Sequence, residues 1–219
     1  MLDGFVRSVN GSSVTYARAP VLRIGPKRSS VVSELASKMF REATESGRGV
    51  SMVFGDRELV GAQGLAARQR IAQLDGQRLA EVPHLDSSEE AAAAELASST
   101  QRYFLERHAA DRLLVGVALP GCGLVDAAEA DVLAGRVLYE LKSVQRGFRG
   151  ADFRQVLVYA ALNYAGRTHE IEDIGVLNPR RGVVCRVSVN SFARLTAGIS
   201  GNELLAEVVE AMSRPGVSR

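Results

Sequence analysis

The sequence predicts an α/β protein: a mixed β-sheet flanked by helices, with an N-terminal α+β extension. Three observations predict it. From residue 88 onward, stretches of helical spacing and short apolar, β-branched runs follow one another as helix, three strands, helix, two strands. The strand–helix–strand passage over 136–178 requires a crossover, right-handed in almost all proteins, so its two strands pair in parallel. Finally, 219 residues, of which 46% are hydrophobic and 24% charged, suffice for one sizeable core with a smaller appendage.

Element by element, residues 5–9 and 14–19 read as a hairpin around Asn10-Gly11, with a further strand at 21–25. Val31, Leu35, Met39 and Ala43 then repeat at helical spacing, and Gly47 suits the C-cap. A short strand at 50–54 and a helix at 64–74 complete an accessory region over 1–85. A boundary falls in "EVPHLDSSEE", and the second domain spans 86–219. There Ser87 to Glu90 fits a capping box, opening a helix that runs to about His108. Strands follow at 112–118, 123–133 and 136–144. A helix over 151–165 places Phe153, Leu157, Ala160 and Tyr164 on one apolar stripe. "EIEDIGVLNPRRGVVCRVSV" reads as two strands joined at Asn178-Pro179, and 202–212 as an amphipathic helix.

Composition excludes several classes. Cys122 and Cys185 are far apart, and His84, His108 and His169 are scattered, so no zinc-type cluster or disulfide framework is readable. No Gly-rich loop ends in Gly-Lys-Ser/Thr, which excludes a P-loop ATPase. No apolar run approaches the roughly 20 residues that span a bilayer, and "MLDGFVRSVNGSS" lacks a secretion-signal pattern, so a cytoplasmic protein without membrane partners is expected. The net charge of +2 is small, but only three of the 27 basic residues, Lys27, Lys38 and Lys142, are lysines.

Lys142 belongs to "EADVLAGRVLYELKSV", where an apolar strand carries Glu140 and Lys142. Buried charges are costly unless paired or put to chemical use. Strand side chains alternate, so Glu140 and Lys142 project from one face. With the turn centred on Ala134-Gly135, Asp131 pairs near Leu138, one step from Glu140. Two carboxylates beside an ammonium suit a hard cation such as Mg²⁺, which takes one or two carboxylates plus water and substrate oxygens. A neighbouring lysine can orient or deprotonate an attacking water and stabilise charge on a phosphate. Asp126 is a nearby acid competing for the same role, though Asp131 is better placed opposite Glu140, and Glu129, two residues before Asp131, either shares its face or is exposed. On the next helix, Gln155 and Tyr159 stand i and i+4 on one face.

Asp131 followed by Glu140-Leu141-Lys142 resembles the D…(D/E)xK signature of the PD-(D/E)xK nuclease superfamily, the restriction-endonuclease-like fold. Gln155 and Tyr159 resemble the QxxxY motif of its RecB-type branch. The resemblance covers about residues 88–178, and the first 85 residues match no known pattern. It implies a restriction-endonuclease-like core and a catalytic set of Asp131, Glu140, Lys142, Gln155 and Tyr159. It also implies Mg²⁺ or Mn²⁺ held by Asp131, Glu140 and the Leu141 carbonyl, with Glu106 as a further carboxylate.

Arg146, Arg149 and Arg154 flank the strand and are candidate phosphate contacts; Arg180 and Arg181 form a second basic turn. The expected activity is metal-dependent hydrolysis of DNA, with RNA as the alternative polymer, in a restriction, phage-defence or repair setting. By analogy, a second copy or a partner protein supplies targeting. The competing reading keeps the fold without the activity, as a nucleic-acid-binding or scaffolding subunit.

Overall fold

The computed structural model describes residues 2–20, 22, 24–25 and 28–214. In chain order the elements are α1 (Leu2–Ser12), β1 (Val14–Thr15), α2 (Ser29–Ser46), α3 (Val50–Gly55), α4 (Arg57–Leu74) and α5 (Ser87–Arg107). These are followed by β2 (Leu113–Leu119), β3 (Ala128–Ala134), β4 (Val137–Leu141), α6 (Gly150–Gly166), β5 (Asp173–Asn178), β6 (Val183–Ser188), α7 (Val189–Ala197) and α8 (Gly201–Ser213). They form two compact units. One gathers Met1–Tyr16, Ala110–Asn178 and Val183–Arg219; the other is Ala17–Ala109 with Pro179–Gly182. The division therefore differs from a single cut near residue 85: α5 belongs with the helices before it, and α1 and β1 with the sheet.

The sheet unit carries six strands in the order β1-β6-β5-β4-β3-β2. Strands β4 and β5 pair in parallel and every other neighbouring pair is antiparallel. The α/β class and the mixed sheet thus stand as the sequence predicts, and α6 is the crossover. Leu138, Ile174 and Val176 of the sheet share one core with Phe153, Val156 and Ala160 of α6, Phe192 of α7 and Leu205 of α8. Helix α1 adds Val6 and Val9, and Phe5 meets Phe153 and Phe192 edge-on, with ring centroids 5.1 Å apart in each case. On β4 and β5, Tyr139 pairs with Gly175, and any Cβ at 175 would lie 2.4 Å from the tyrosine ring. The glycine is what lets the ring lie across β5.

The helical unit is built on α2, whose Val31, Leu35, Met39, Phe40 and Ala43 are all buried and whose C-cap Gly47 takes the left-handed φ of 67°. Phe40 stacks on Phe104 of α5. The capping box of α5 is Asp86 with Glu89, one residue before the expected pair, and Glu89 also takes a two-pronged ion pair from Arg28 at 2.6 and 2.8 Å. Of the α+β extension expected over 1–85, the described residues carry helices and a single strand, the two-residue β1.

Several local expectations are corrected. The 5–9/14–19 hairpin is instead helix α1 followed by the two-residue β1. Asn10 lies inside α1, where its amide bonds Phe148 rather than closing a turn. Residues 50–54 form α3, because Val50 and Val53 are buried at helical spacing. Of the strand expected at 21–25, Val21 and Arg23 lie outside the described residues, and Leu22, Ile24 and Gly25 are in no strand. Strand β3 starts only at Ala128, because Cys122 and Val125 exchange backbone bonds in a tight turn before it. On α6 the buried stripe is Phe153, Val156 and Ala160, and Tyr164 is exposed. Helix α7, absent from the sequence reading, begins at Ser188, which caps it by accepting from Ser191 N.

Candidate active site

The site lies on β3, β4 and the first turns of α6, all in the sheet unit. The β3–β4 turn is Gly135-Arg136 rather than Ala134-Gly135: Ala134 pairs with Val137 and Leu133 with Leu138, and Gly135 adopts φ 57°. The expected Asp131–Leu138 pairing is therefore wrong. The β3–β4 ladder ends at Val132–Tyr139, so Asp131 and Glu140 are the next residues on the two strands. The Leu141 N–H donates to Asp131 Oδ2 at 2.6 Å, which fixes that carboxylate against β4.

Glu140 sits in a central strand, 3% exposed. Lys142 Nζ donates to its Oε1 at 2.6 Å, while Glu140 Oε2, also buried, has no hydrogen-bond partner. Burial first, and then the negative charge of Asp131, push the Glu140 carboxyl up to about 8 despite the opposing pull of Lys142.

Lys142 also donates to Gln155 Oε1 at 2.7 Å, and Gln155 Nε2 donates to the Tyr159 hydroxyl at 2.9 Å. A flipped amide would set an NH₂ against the ammonium, so the network itself orients Gln155. Burial raises the Tyr159 phenol, keeping it a neutral hydroxyl. Asp131, Glu140, Lys142, Gln155 and Tyr159 thus form one continuous polar constellation, the set picked out in the sequence.

The remaining candidates divide. Arg146 is committed to Asp152 by two bonds of 2.7 and 2.8 Å. Arg149 and Arg154 are exposed at the start of α6. Glu106 is an exposed residue of α5, in the helical unit. Asp126 is exposed and outside the strands, and Glu129 lies on β3 opposite Ala118. In the helical unit Arg180 is buried and bonds Ser29, while Arg181 is exposed. Both cysteines are unpaired, and burial pushes the Cys185 thiol up to about 11. Among the described residues no three His, Cys, Asp or Glu converge as a metal site. Any cation here would therefore rest on two carboxylates, main-chain oxygen, water and substrate.

Three residues beside this site escape a reading of the sequence. Asn178, fully buried at the end of β5, donates from Nδ2 to Val144 O at 2.8 Å and Arg146 O at 3.4 Å. Asn10 exchanges two 2.9 Å bonds with the Phe148 backbone. Asp152 accepts from the Arg149 N–H as well as from Arg146. Only Asp152 leaves a local signal, an acid three residues into a helix; the two asparagines act on backbone distant in sequence.

No protein-family model matches the chain, and comparison with curated proteins and with solved structures yields no match. Among the described residues no helix is long and apolar enough to cross a membrane.

Proposed function

We propose that the sheet unit is a metal-dependent nuclease with a restriction-endonuclease-like core, hydrolysing DNA phosphodiester bonds. The observation that carries this reading is the crowding of two acids beside one ammonium at the hairpin, which burial and Asp131 resolve by pushing the Glu140 carboxyl up to about 8. Asp131 and Glu140 come together just beyond the last β3–β4 pair, Val132–Tyr139, and the Lys142 ammonium is bonded to Glu140. One buried carboxylate oxygen is left without a partner, at a typical cost of about 1–3 kcal/mol. A divalent cation would supply positive charge there and take that oxygen as a ligand. Asp131 and Glu140 would hold it, with the Leu141 carbonyl as the resemblance implies; Mg²⁺ or Mn²⁺ fits such oxygen donors.

When bound, such a cation neutralises charge on the scissile phosphate and acidifies water. The chain's own residues supply the rest. Lys142 is held by Glu140 and Gln155, which commit two of the three donors of its ammonium. The remaining donor serves the attacking water or a phosphate oxygen. Gln155, backed by Tyr159, fixes the ammonium's direction. Arg149 and Arg154, exposed on the helix that follows, suit sequence-independent phosphate contacts.

A structural ion pair between Glu140 and Lys142 is the competing reading, and their 2.6 Å bond favours it. It leaves unexplained why Asp131 stands opposite and why Glu140 Oε2 is unpartnered. The deciding experiment incubates plasmid and single-stranded DNA with the protein, with Mg²⁺ and with chelator. Mg²⁺-dependent cleavage abolished by Asp131→Ala is the expected result. Absence of cleavage with Mg²⁺ and with Mn²⁺, from protein shown to be folded, overturns the proposal.

A further inference from the structure

We infer that Asn178 is a positioning residue for Lys142, an assignment that rests on the nuclease reading above. Lys142 lies one residue beyond the end of β4, where the regular ladder no longer fixes the chain. Three successive bonds hold it instead. Its N–H donates to Leu177 O at 2.8 Å. Its carbonyl accepts from Val144 N at 2.8 Å, closing a tight turn. The Val144 carbonyl in turn accepts from the Asn178 amide at 2.8 Å, and the same amide reaches Arg146 O. Of the two adjacent residues at the end of β5, Leu177 therefore holds the lysine's N–H directly and Asn178 holds, through Val144, the turn that its carbonyl closes.

Loop carbonyls ordinarily face water. Here a side chain with no exposed surface spends its amide on two of them, which defines the path of the loop at the point where it leaves the site. Further along, Arg146 is tied to Asp152 and Phe148 to Asn10, so the segment is also held at 146 and 148. A reacting group displaced by about 1 Å can lose about 10²-fold in rate, and of the side chains that anchor this loop Asn178 holds the carbonyl nearest Lys142, that of Val144.

The test is steady-state cleavage of DNA with Mg²⁺ by the full chain, Asn178→Ala, Lys142→Ala and the double variant. Mn²⁺ calorimetry on each counts the folded, metal-competent molecules. Asn178→Ala should lower kcat by about 10²-fold with KM and Mn²⁺ affinity near parental values. The double variant should be no slower than Lys142→Ala alone, because a residue acting only through Lys142 has nothing left to position. Should the alanine variant fail to fold, Asn178→Asp, which keeps the size and loses the N–H donors, and Asn10→Ala, at the loop's far end, are measured in the same way, with the smaller fall in kcat from Asn10→Ala.

A lower melting temperature with parental kcat per metal-binding molecule would make Asn178 purely structural and overturn the assignment. Multiplicative losses in the double variant would overturn it as well. Both outcomes leave the nuclease reading standing. A folded parent that cleaves nothing with either metal overturns that reading and the assignment together.

Discussion

Asp152 and Glu140 are both almost fully buried acids of the sheet unit, 2% and 3% exposed, yet they are built in opposite ways. Both oxygens of Asp152 are satisfied by the Arg146 guanidinium, and Oδ2 also accepts from the Arg149 N–H. Burial alone would raise this carboxyl, but the guanidinium and the backbone donor outweigh it and hold the group below its ordinary value. Glu140 has one oxygen on Lys142, the other without a donor, and the Asp131 carboxyl within hydrogen-bonding range; it is pushed upward instead. In the helical unit Glu89, clamped by Arg28, behaves like Asp152. A carboxylate that serves the fold is surrounded until it is satisfied, whereas Glu140 is left short of a partner in the very place where partners are most needed.

The largest expected effect breaks the comparison at Lys142. Lys142→Ala and Lys142→Arg should both lose about 10²–10⁴-fold in cleavage rate, the usual worth of general acid–base assistance. A gel assay reads this directly. Arginine carries the charge but not the compact ammonium, so full activity in Lys142→Arg would return Glu140 and Lys142 to the class of ordinary ion pairs.

Next come the two acids themselves, neutralised in parallel. Glu140→Gln should abolish Mn²⁺ binding by calorimetry while leaving the melting temperature unchanged or higher, since it removes a repulsion and gives the orphan position an N–H donor. Asp152→Asn should do the reverse. Metal affinity should persist and stability should fall by about 1–3 kcal/mol, the cost of breaking a buried, charge-assisted hydrogen bond. Equal losses of stability in the two variants would erase the distinction between them.

A smaller effect concerns acid. Because the Asp152 carboxyl is held low in the folded state, its stabilisation is fully present above the unfolded value of about 3.9. It is lost as pH falls through the lower folded value. The gap in urea midpoint between the parent and Asp152→Asn should therefore be widest near neutrality and begin to narrow only below about pH 4. A gap that shows no narrowing at all down to the lowest pH at which the parent stays folded would show that Asp152 contributes packing rather than charge. The smallest effect is expected at the exposed arginines. Arg149→Gln and Arg154→Gln should each weaken DNA binding irrespective of sequence and flatten its salt dependence by about one unit of slope for each phosphate no longer neutralised. Fluorescence anisotropy across a salt series measures this, and an unaltered slope removes these residues from the interface.

What could be read from the sequence follows the distance over which each interaction acts. Asp131, Glu140, Lys142, Gln155 and Tyr159 lie on consecutive elements, so strand alternation and helical spacing were enough to bring them together. The hairpin register failed by a turn placed one residue early, because Ala134-Gly135 and Gly135-Arg136 both offer a glycine and only pairing decides between them. The N-terminal hairpin failed for a related reason. Asn10-Gly11 is a strong turn signal, but the Asn10 amide is taken up by Phe148, a partner 138 positions away in the chain. Val50 and Val53, β-branched residues in a six-residue segment, favoured a strand until packing made them a helix. The division into units was unreadable because the sheet unit is made of three separate stretches of chain.

That discontinuity sets an order of events during synthesis. Phe5, Val6 and Val9 leave the ribosome long before Phe153 and Phe192, the partners that cover them. At about 5–20 residues per second, α1 waits on the order of ten seconds or more with its apolar stripe uncovered. The helical unit needs only one short return of the chain, 179–182, and has most of its core in hand far earlier. A nascent chain stopped before residue 173 has the hairpin bearing Asp131, Glu140 and Lys142 but lacks β5, and with it the Leu177 carbonyl that holds the lysine and the Asn178 amide that holds the loop after it. The site is thus assembled late, after the segment that carries its charges has already been made.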